Sequence, residues 1–410
     1  MSASVQPLAG VVKGFLARYQ ADASDQVARA QAAALFASAG LPSVREEAWH
    51  FTSLRPLADA VFDEPDADVG ALLARLPDFA APRLLFINGK ARPWNADAVP
   101  ALSVRTGAPA WGVLAQPTSE KLVALNTMLA RDGAAIEVAP DEDAGALVLA
   151  SVATGGTLHL RHHLRLGERS RLVLIETHAS EGACCNNPVI SIEVGTGAAL
   201  MHVRIVGEGE GAFHLSTLYV DVGAGGSYDS FLLAMGGRLA RSEVHARLGG
   251  EKASAHLNAA QLLDGVQHAD FTTVVRHVAP NTLSRQTVKN VVAGQARAVF
   301  QGRIEVAPGA QKTDGYQRNE TLLLSPQAEV NSKPELEIFA DDVKCSHGST
   351  VGELDAEQLF YLRSRGIPEA EARSLLVRAF LAEALDAVGH APARAALEEM
   401  VAGWWQGRAA

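Results

Sequence analysis

A spacing constrains this chain more than any other feature. From about residue 134 to about residue 350, short runs of Val, Leu, Ile and Phe alternate with Gly-rich turns. Six of these turns resemble one another: LRLGERSRLVLIE, IEVGTGAALMHVRIV, VDVGAGGSYDSFLLA, ARLGGEKASAHLNAA, RHVAPNTLSRQTVKN and IEVAPGAQKTDGYQR. Aligned, they place turn markers at Gly167, Gly195, Gly223, Gly249, Pro280 and Pro308, separated by 28, 28, 26, 31 and 28 residues. A recurring interval of this size marks a repeat architecture in which each unit buries its apolar face against the next. Each unit reads as a strand, a tight turn and a second strand. Met201, Val203 and Ile205 hold alternate places with His202 and Arg204 between them, which fits stacked strands with one face inward. A propeller blade takes about 40 residues or more. The interval therefore predicts a mainly β chain built on a parallel β-helix.

The flanks have a different texture. Residues 1–133 read as an N-terminal helical and mixed region, 134–352 as the β-helix core and 353–410 as a C-terminal helical region. The first 80 residues read as helical, with Val12, Phe15, Leu16 and Tyr19 at helical spacing and an Ala-rich run from Val27 to Ala39. Gly40-Leu41-Pro42 ends that run, and Ser43 with Glu46 forms a capping-box pattern. Leu84 to Ile87 reads as a strand closed by Asn88-Gly89, and Ser119 to Leu129 as a short helix. Asp355 is placed to cap a helix that stops at Gly366, and Pro368 to open the next, with Leu375, Leu376, Ala379, Phe380 and Ala384 on one stripe. A last helix ends at Trp404 and Trp405. Solenoid ends need covering, and these helical flanks are the expected covers.

Charge and cysteine content narrow the function classes. The net charge of −10 disfavours a nucleic-acid binder, which needs a basic face to replace phosphate counterions. Three cysteines are too few and odd for a disulfide framework and suit a reducing cytosol. Met1 to Gly10 shows no signal-peptide pattern, and no window approaches 18 consecutive apolar residues. The expectation is a soluble, cytoplasmic protein that takes neither nucleic acid nor membrane.

No phosphate loop, HExxH, paired CxxC or GxSxG pattern occurs. Gly207 to Ala212, GEGEGA, has the letters of a dinucleotide fingerprint. It leads into a strand and not a helix, and its two glutamates repel a pyrophosphate, so it reads as an acidic turn of the repeat. His159, His162 and His163 read as the solvated outer face of a strand, with His159 and His163 on one side and His162 on the other. Cys184 and Cys185 are adjacent and read as one packed, one exposed. Cys345 and His347 differ from these. Two apart in an extended segment, they face one way, and a thiolate beside an imidazole makes half of a soft-metal site. A buried, inert Cys345 is the plainer alternative.

Two segments carry a resemblance. Arg45 to Leu57, REEAWHFTSLRPL, resembles the E-x-W-x-(Y/F)-T-x-L signature near the N-terminus of the SufB/SufD family. Residues 318–366, RNETLLLSPQAEVNSKPELEIFADDVKCSHGSTVGELDAEQLFYLRSRG, resemble that family more specifically, and the likeness runs from about residue 40 to about residue 390. SufB-type sequences have Ser-His-Glu and FYCxxRG where this chain has Ser346-His347-Gly348 and Phe360-Tyr361-Leu362, so it is similar to the SufD branch. It also lacks the cysteine-containing motif found near the N-terminus of many SufB proteins.

The resemblance implies a right-handed parallel β-helix between helical regions, in a complex that assembles iron–sulfur clusters. It implies pairing with SufB, docking of the SufC ATPase on the C-terminal helices, and His347 near the SufB interface holding a nascent cluster or its iron, with Cys345 an interface thiol. It gives no ligand role to His159, His162, His163, Cys184 or Cys185. The expected role is a non-catalytic scaffold that holds no cluster stably alone, only a transient one, or iron, at the interface with SufB. The neutral imidazole is the ligating form, so affinity is expected to weaken as His347 protonates. A homodimer through the same exposed edge is expected when the chain is alone. The contrasting reading is a carbohydrate-active β-helix enzyme of secreted type. It fits poorly, because the repeat holds few aromatic platforms, mainly Phe213, Tyr219, Tyr228, Phe231, Phe271, Phe300 and Tyr316.

Overall fold

A computed structural model describes residues 7–21, 27–66, 68–114 and 120–409. From Ala199 onward, strands that follow one another in the chain lie in opposite sheets, so the backbone winds as a solenoid. Among the described residues, a ten-stranded sheet carries Arg83–Ile87, Asp143–Ala153, Arg171–Ser180, Ala199–Val206 and onward to Lys344–Gly352. An eleven-stranded sheet carries Ala134–Val138, Arg161–Leu166, Val189–Val194 and onward to Glu329–Ile338. Within the winding, strands pair in parallel. Arg171 pairs with Ala199 and Ala199 with Ser227, 28 residues on each time, and the step stretches to 31 between Leu283 and Asp314. The fold is the parallel β-helix that the spacing predicts. All six turn markers fall where the chain leaves the eleven-stranded sheet, for example Gly195 after Val194 and Gly223 after Val222. Stacked turns pass too close there for side chains. A Cβ on Gly195 would stand 2.7 Å from the Leu166 carbonyl oxygen, and one on Gly250 would stand 2.0 Å from the Ala224 nitrogen.

The inner faces of both sheets are buried, and parts of their outer faces are too. Leu172, Leu174, Leu200 and Val206 of one sheet meet Ile190, Ile192, Leu218 and Val220 of the other in the interior. The alternation at 201–205 resolves against intuition. Met201, Val203 and Ile205 point outward, against Val377, Leu381, Ala384, Leu385 and Leu397 of the C-terminal helices. His202 and Arg204, in phase with Leu200 and Val206, point inward. The flanking helices therefore lie along the outer faces of the sheets. The C-terminal end of the solenoid stays uncovered, contrary to the expected end-capping, because the apolar outer faces claim the helices.

The flanks match the sequence reading in part. Helices span Pro7–Ala21 and Val27–Ala39, and Gly40 closes the second at φ +65°. Only half of the expected capping box forms: Ser43 N donates to Glu46 Oε1 at 2.7 Å, while Glu46 N donates to the Ser43 backbone carbonyl at 2.9 Å, closing a turn, and the Ser43 hydroxyl caps no helix. Only a single tight turn follows, Glu47–Trp49, so the first 80 residues are not helical throughout. The expected helix at 119–129 runs Lys121–Leu129. Ser119 and residues 1–6 of the stretch read for a leader lie outside the described residues. At the C-terminus, Asp355 accepts from the backbone of Glu357 and Gln358, as its capping role requires. In helix Glu369–Asp386 the buried stripe is Ala372, Val377, Leu381, Ala384 and Leu385; Leu375 and Ala379 face solvent. No helix among the described residues is long and apolar enough to cross a membrane.

Candidate functional site

The N-terminal motif is a clamp. Trp49 is buried beneath the Arg241 guanidinium, 4.1 Å from its ring centre. Arg241 pairs with Asp270 and, at 3.0 Å, with Glu243. Thr52, fully buried, bonds Asp270 and lies 2.9 Å from His268 Nε2. Leu54 and Leu57 enter the apolar layer below, and Glu46 reaches Lys121 at 2.9 Å. These contacts fix residues 43–57 across the outer face of the eleven-stranded sheet. The motif is thereby explained as structure.

The C-terminal motif builds the open end. Lys344–Gly352 is the last strand of its sheet. It pairs only with Asp314–Leu323, and among the described residues its other edge has no partner. Glu329–Ile338 ends the second sheet in the same way. Register sets the direction of the side chains. Val288 and Val292 lie in the interior, so Gln286 and Asn290 face the lumen; Gln317 pairs with Gln286, and His347 pairs with Gln317. Cys345, paired with Gly315, shares that face. The structure thus places Cys345 and His347 together on the lumen side of an unpaired edge strand, with His347 exposed and Cys345 half-buried.

Burial raises the Cys345 thiol above its ordinary range, a Gly315 backbone hydrogen bond opposes this, and Asp314 adds to it. The thiol therefore has to shed a proton to ligate a metal. Around this rim Phe339, Val351, Phe360 and Tyr361 are exposed. Among the described residues no three His, Cys, Asp or Glu groups converge in a geometry that holds a metal ion.

The other sequence candidates lie elsewhere, and two expectations need correction. His159 and His162 are buried, not solvated: the N-terminal helices cover His159, and His162, in phase with Leu164 and Leu166, points into the lumen. His159 Nδ1 lies 3.2 Å from Asn187 Oδ1, and Ala134 N donates to His162 Nδ1 at 3.0 Å. Burial holds both imidazoles down to about 4. His163 is half-buried and meets Glu193 at 2.8 Å. Cys184 and Cys185 are both fully buried. Cys184 sits with Ala153, Leu158 and Ala212, and Cys185 lies under the N-terminal helices. Burial pushes both thiols up, Cys185 to about 12. Both are inert packing residues.

The interior also holds a charged cluster that the sequence reading did not assemble. Glu176 accepts from His178 Nε2 at 2.7 Å and from His202 Nε2 at 3.0 Å. His202 Nδ1 lies 3.1 Å from the Tyr228 hydroxyl. Glu208 of the acidic turn points inward, accepting from His214 Nδ1 and Asn186 Nδ2, each at 3.0 Å. Burial alone would raise Glu176, yet its two imidazole hydrogen bonds hold it well below the ordinary carboxylate range. Burial would lower His178, but Glu176 outweighs it and the imidazole is raised. Burial lowers His202 and His214. The available signal was the alternation itself. In LVLIETHAS, Glu176 and His178 continue the phase of Leu172 and Leu174.

Comparison with known proteins adds a family. Residues 149–380 match the description "SUF system FeS cluster assembly, SufBD core domain". The chain is 34% identical over 367 residues to the iron–sulfur cluster assembly protein SufD of Escherichia coli, covering 85% of this chain and 86% of that protein. It is 30% identical over 406 residues to an iron–sulfur cluster assembly SufBD family protein of Synechocystis, covering 91% and 89%. Over 207 residues it is 35% identical to the chloroplastic protein ABCI7 of Arabidopsis thaliana, covering 50% and 44%.

Proposed function

Because the chain belongs to the SufBD family of iron–sulfur cluster assembly proteins, we propose that it is a non-catalytic, cytoplasmic scaffold subunit that supplies half of a composite cluster-building site. The carrying observation is the open end: an unpaired edge strand presents Cys345 and His347 on its lumen side. A SufB-type partner would pair along the terminal strands and bring the remaining ligands. Imidazole is a borderline donor for iron, and an incomplete site releases its cluster more readily than a closed one. Iron and the nascent cluster are cargo in this reading. Chain–chain pairing is the natural use of an unpaired edge, and the exposed Phe339 and Val351 add apolar area to it. The same edge accepts a second copy of this chain when the partner is missing.

The C-terminal helices serve the ATPase. Helix Ala356–Ser364 buries none of its residues and exposes Phe360 and Tyr361, a surface suited to a SufC-type subunit. Helix Glu369–Asp386 is anchored to the sheet: Lys289, buried under the Phe380 ring, pairs with Glu383 at 2.9 Å and with Glu320, and Arg318 also pairs with Glu383. Glu320 and Arg318 lie on the strand beside that of His347. In this reading these ionic contacts would link a docked ATPase to the strand beside the rim.

The test is co-expression of the chain with SufB- and SufC-type partners under anaerobic conditions, as wild type and His347→Ala. The expected result is an intact complex with poor cluster yield in the variant. Unchanged cluster yield removes His347 from the mechanism, and loss of the complex makes it a packing residue.

A further inference from the structure

The lumen beneath the rim is polar but carries no charge. From Ser254 to Gly352 no inward position holds Asp, Glu, Lys or Arg. Instead an amide ladder runs along the solenoid axis. Gln261 Nε2 donates to Asn290 Oδ1 at 3.0 Å, and Asn290 Nδ2 donates to Asn319 Oδ1 at 2.8 Å. The ladder has a direction, since Gln261 and Asn290 donate onward with nitrogen while Asn290 and Asn319 accept with oxygen. Among the described residues it ends at Asn319, whose Nδ2 finds no partner, and Gln317 in the same strand has neither atom of its amide paired. Both side chains are 1% exposed. Gln286 Nε2 and Ser332 Oγ are also unpartnered among the described residues.

The last coil lies above these groups. Where one coil holds Phe300, the next holds Ser332, its register partner; Ser349 stands over Asn319, Cys345 over Gly315 and His347 over Gln317. Small side chains thus stand over Phe300 and Asn319, and the exposed His347 stands over Gln317.

A buried donor without an acceptor costs about 1–3 kcal/mol, and native proteins satisfy such groups with water, an ion or a ligand. At the mouth, the amide nitrogens of Gln286, Gln317 and Asn319 and the Ser332 hydroxyl outnumber one free acceptor, Gln317 Oε1. An excess of donors selects a guest that accepts. The lack of carboxylates leaves negative charge unopposed, and the lack of Lys and Arg disfavours a multivalent anion, whose dehydration nothing there would offset.

We propose that the mouth of the lumen is a binding site for a small monovalent anion of halide or hydrosulfide size, held by the Gln317 and Asn319 amides beneath Cys345 and His347. Hydrosulfide is the member of this class that cluster assembly consumes. The choice of occupant rests on the assembly reading; the site itself rests on the side chains.

The test uses the full chain. Crystals soaked in bromide are expected to show an anomalous peak within hydrogen-bond distance of Gln317 and Asn319. Anaerobic equilibrium dialysis against sodium sulfide is expected to give one bromide-displaceable hydrosulfide per chain. Asn319→Asp keeps the shape and adds repulsion, and is expected to weaken both at least tenfold; Gln317→Glu repeats the test should Asn319→Asp fail to fold. Cys345→Ser is expected to leave both unchanged. Ordered water alone at the mouth, or bromide only at adventitious surface positions, overturns the proposal. So does sulfide uptake that survives Asn319→Asp and vanishes with Cys345→Ser, which would assign it to the thiol. An intact anion site together with unchanged cluster yield in His347→Ala would instead sink the assembly reading and leave the anion site standing.

Discussion

Glu176→Gln isolates the electrostatics of the solenoid interior. The substitution keeps side-chain volume and removes one buried negative charge. Glu176 accepts two imidazole hydrogen bonds, at 2.7 and 3.0 Å, from His178 and His202. A hydrogen bond to a charged group contributes about 1.5–3 kcal/mol and a neutral one about 0.5–1.5. Replacing two of the first kind by two of the second destabilises the fold by roughly 2–3 kcal/mol. The assay is urea denaturation of the full chain, followed by far-UV circular dichroism and tryptophan fluorescence.

The pH dependence has a definite sign. The carboxyl is depressed in the folded state below the ordinary value of 4.5. Its contribution is therefore fully present above that value and is lost as pH falls toward the folded value, where the unfolded chain takes up the proton first. Because Glu176 also raises His178 above its ordinary value of 6.5, the gap between wild type and variant is expected to widen as pH falls through the His178 titration, to be largest between the ordinary imidazole and carboxylate ranges, and to close below the latter. A gap under about 0.5 kcal/mol at that maximum, or one that fails to close on further acidification, would refute the assignment of a charged Glu176.

Other outcomes follow from the same contacts. Arg241→Met leaves Asp270 and Glu243 buried without their cation, so urea denaturation should show a loss of about 3–5 kcal/mol, and the emission of the uncovered Trp49 should shift to the red. A thiol titration should find one reactive cysteine, Cys345, in the native chain and all three after denaturation, since Cys184 and Cys185 are fully buried. Early reaction of a second thiol would show the interior opening. Glu383→Ala should change global stability by less than about 1 kcal/mol, because its carboxylate is half-exposed. It should nevertheless speed amide exchange in residues 369–386, and unchanged exchange would remove the ionic anchor.

The winding was legible because geometry dictates it. Stacked turns exclude side chains at Gly195 and Gly250, later coils turn at Pro280 and Pro308 instead, and because a turn recurs about once per coil it survives in the sequence as a period. Direction was less legible. Period two says that Met201, Val203 and Ile205 share a face, but not whether that face meets the lumen or a helix. The choice depends on what packs outside, which local pattern does not encode. The same ignorance misplaced His159, whose cover comes from a distant part of the chain, and His162, which turns into the lumen. Cys345 and His347 were found by their spacing and by resemblance. Their position over Gln317 and Gly315 depends on pairing between residues 30 apart, which no local motif displays.

The central claim is that this chain owns only part of a site, and reconstitution tests it most directly. The purified full chain, alone and mixed with its SufB-type partner, is incubated anaerobically with ferrous iron and sulfide, desalted and read by visible absorption and Mössbauer spectroscopy. A cluster on the mixture and sub-stoichiometric iron on the lone chain are expected. A stoichiometric cluster on the chain alone would contradict it.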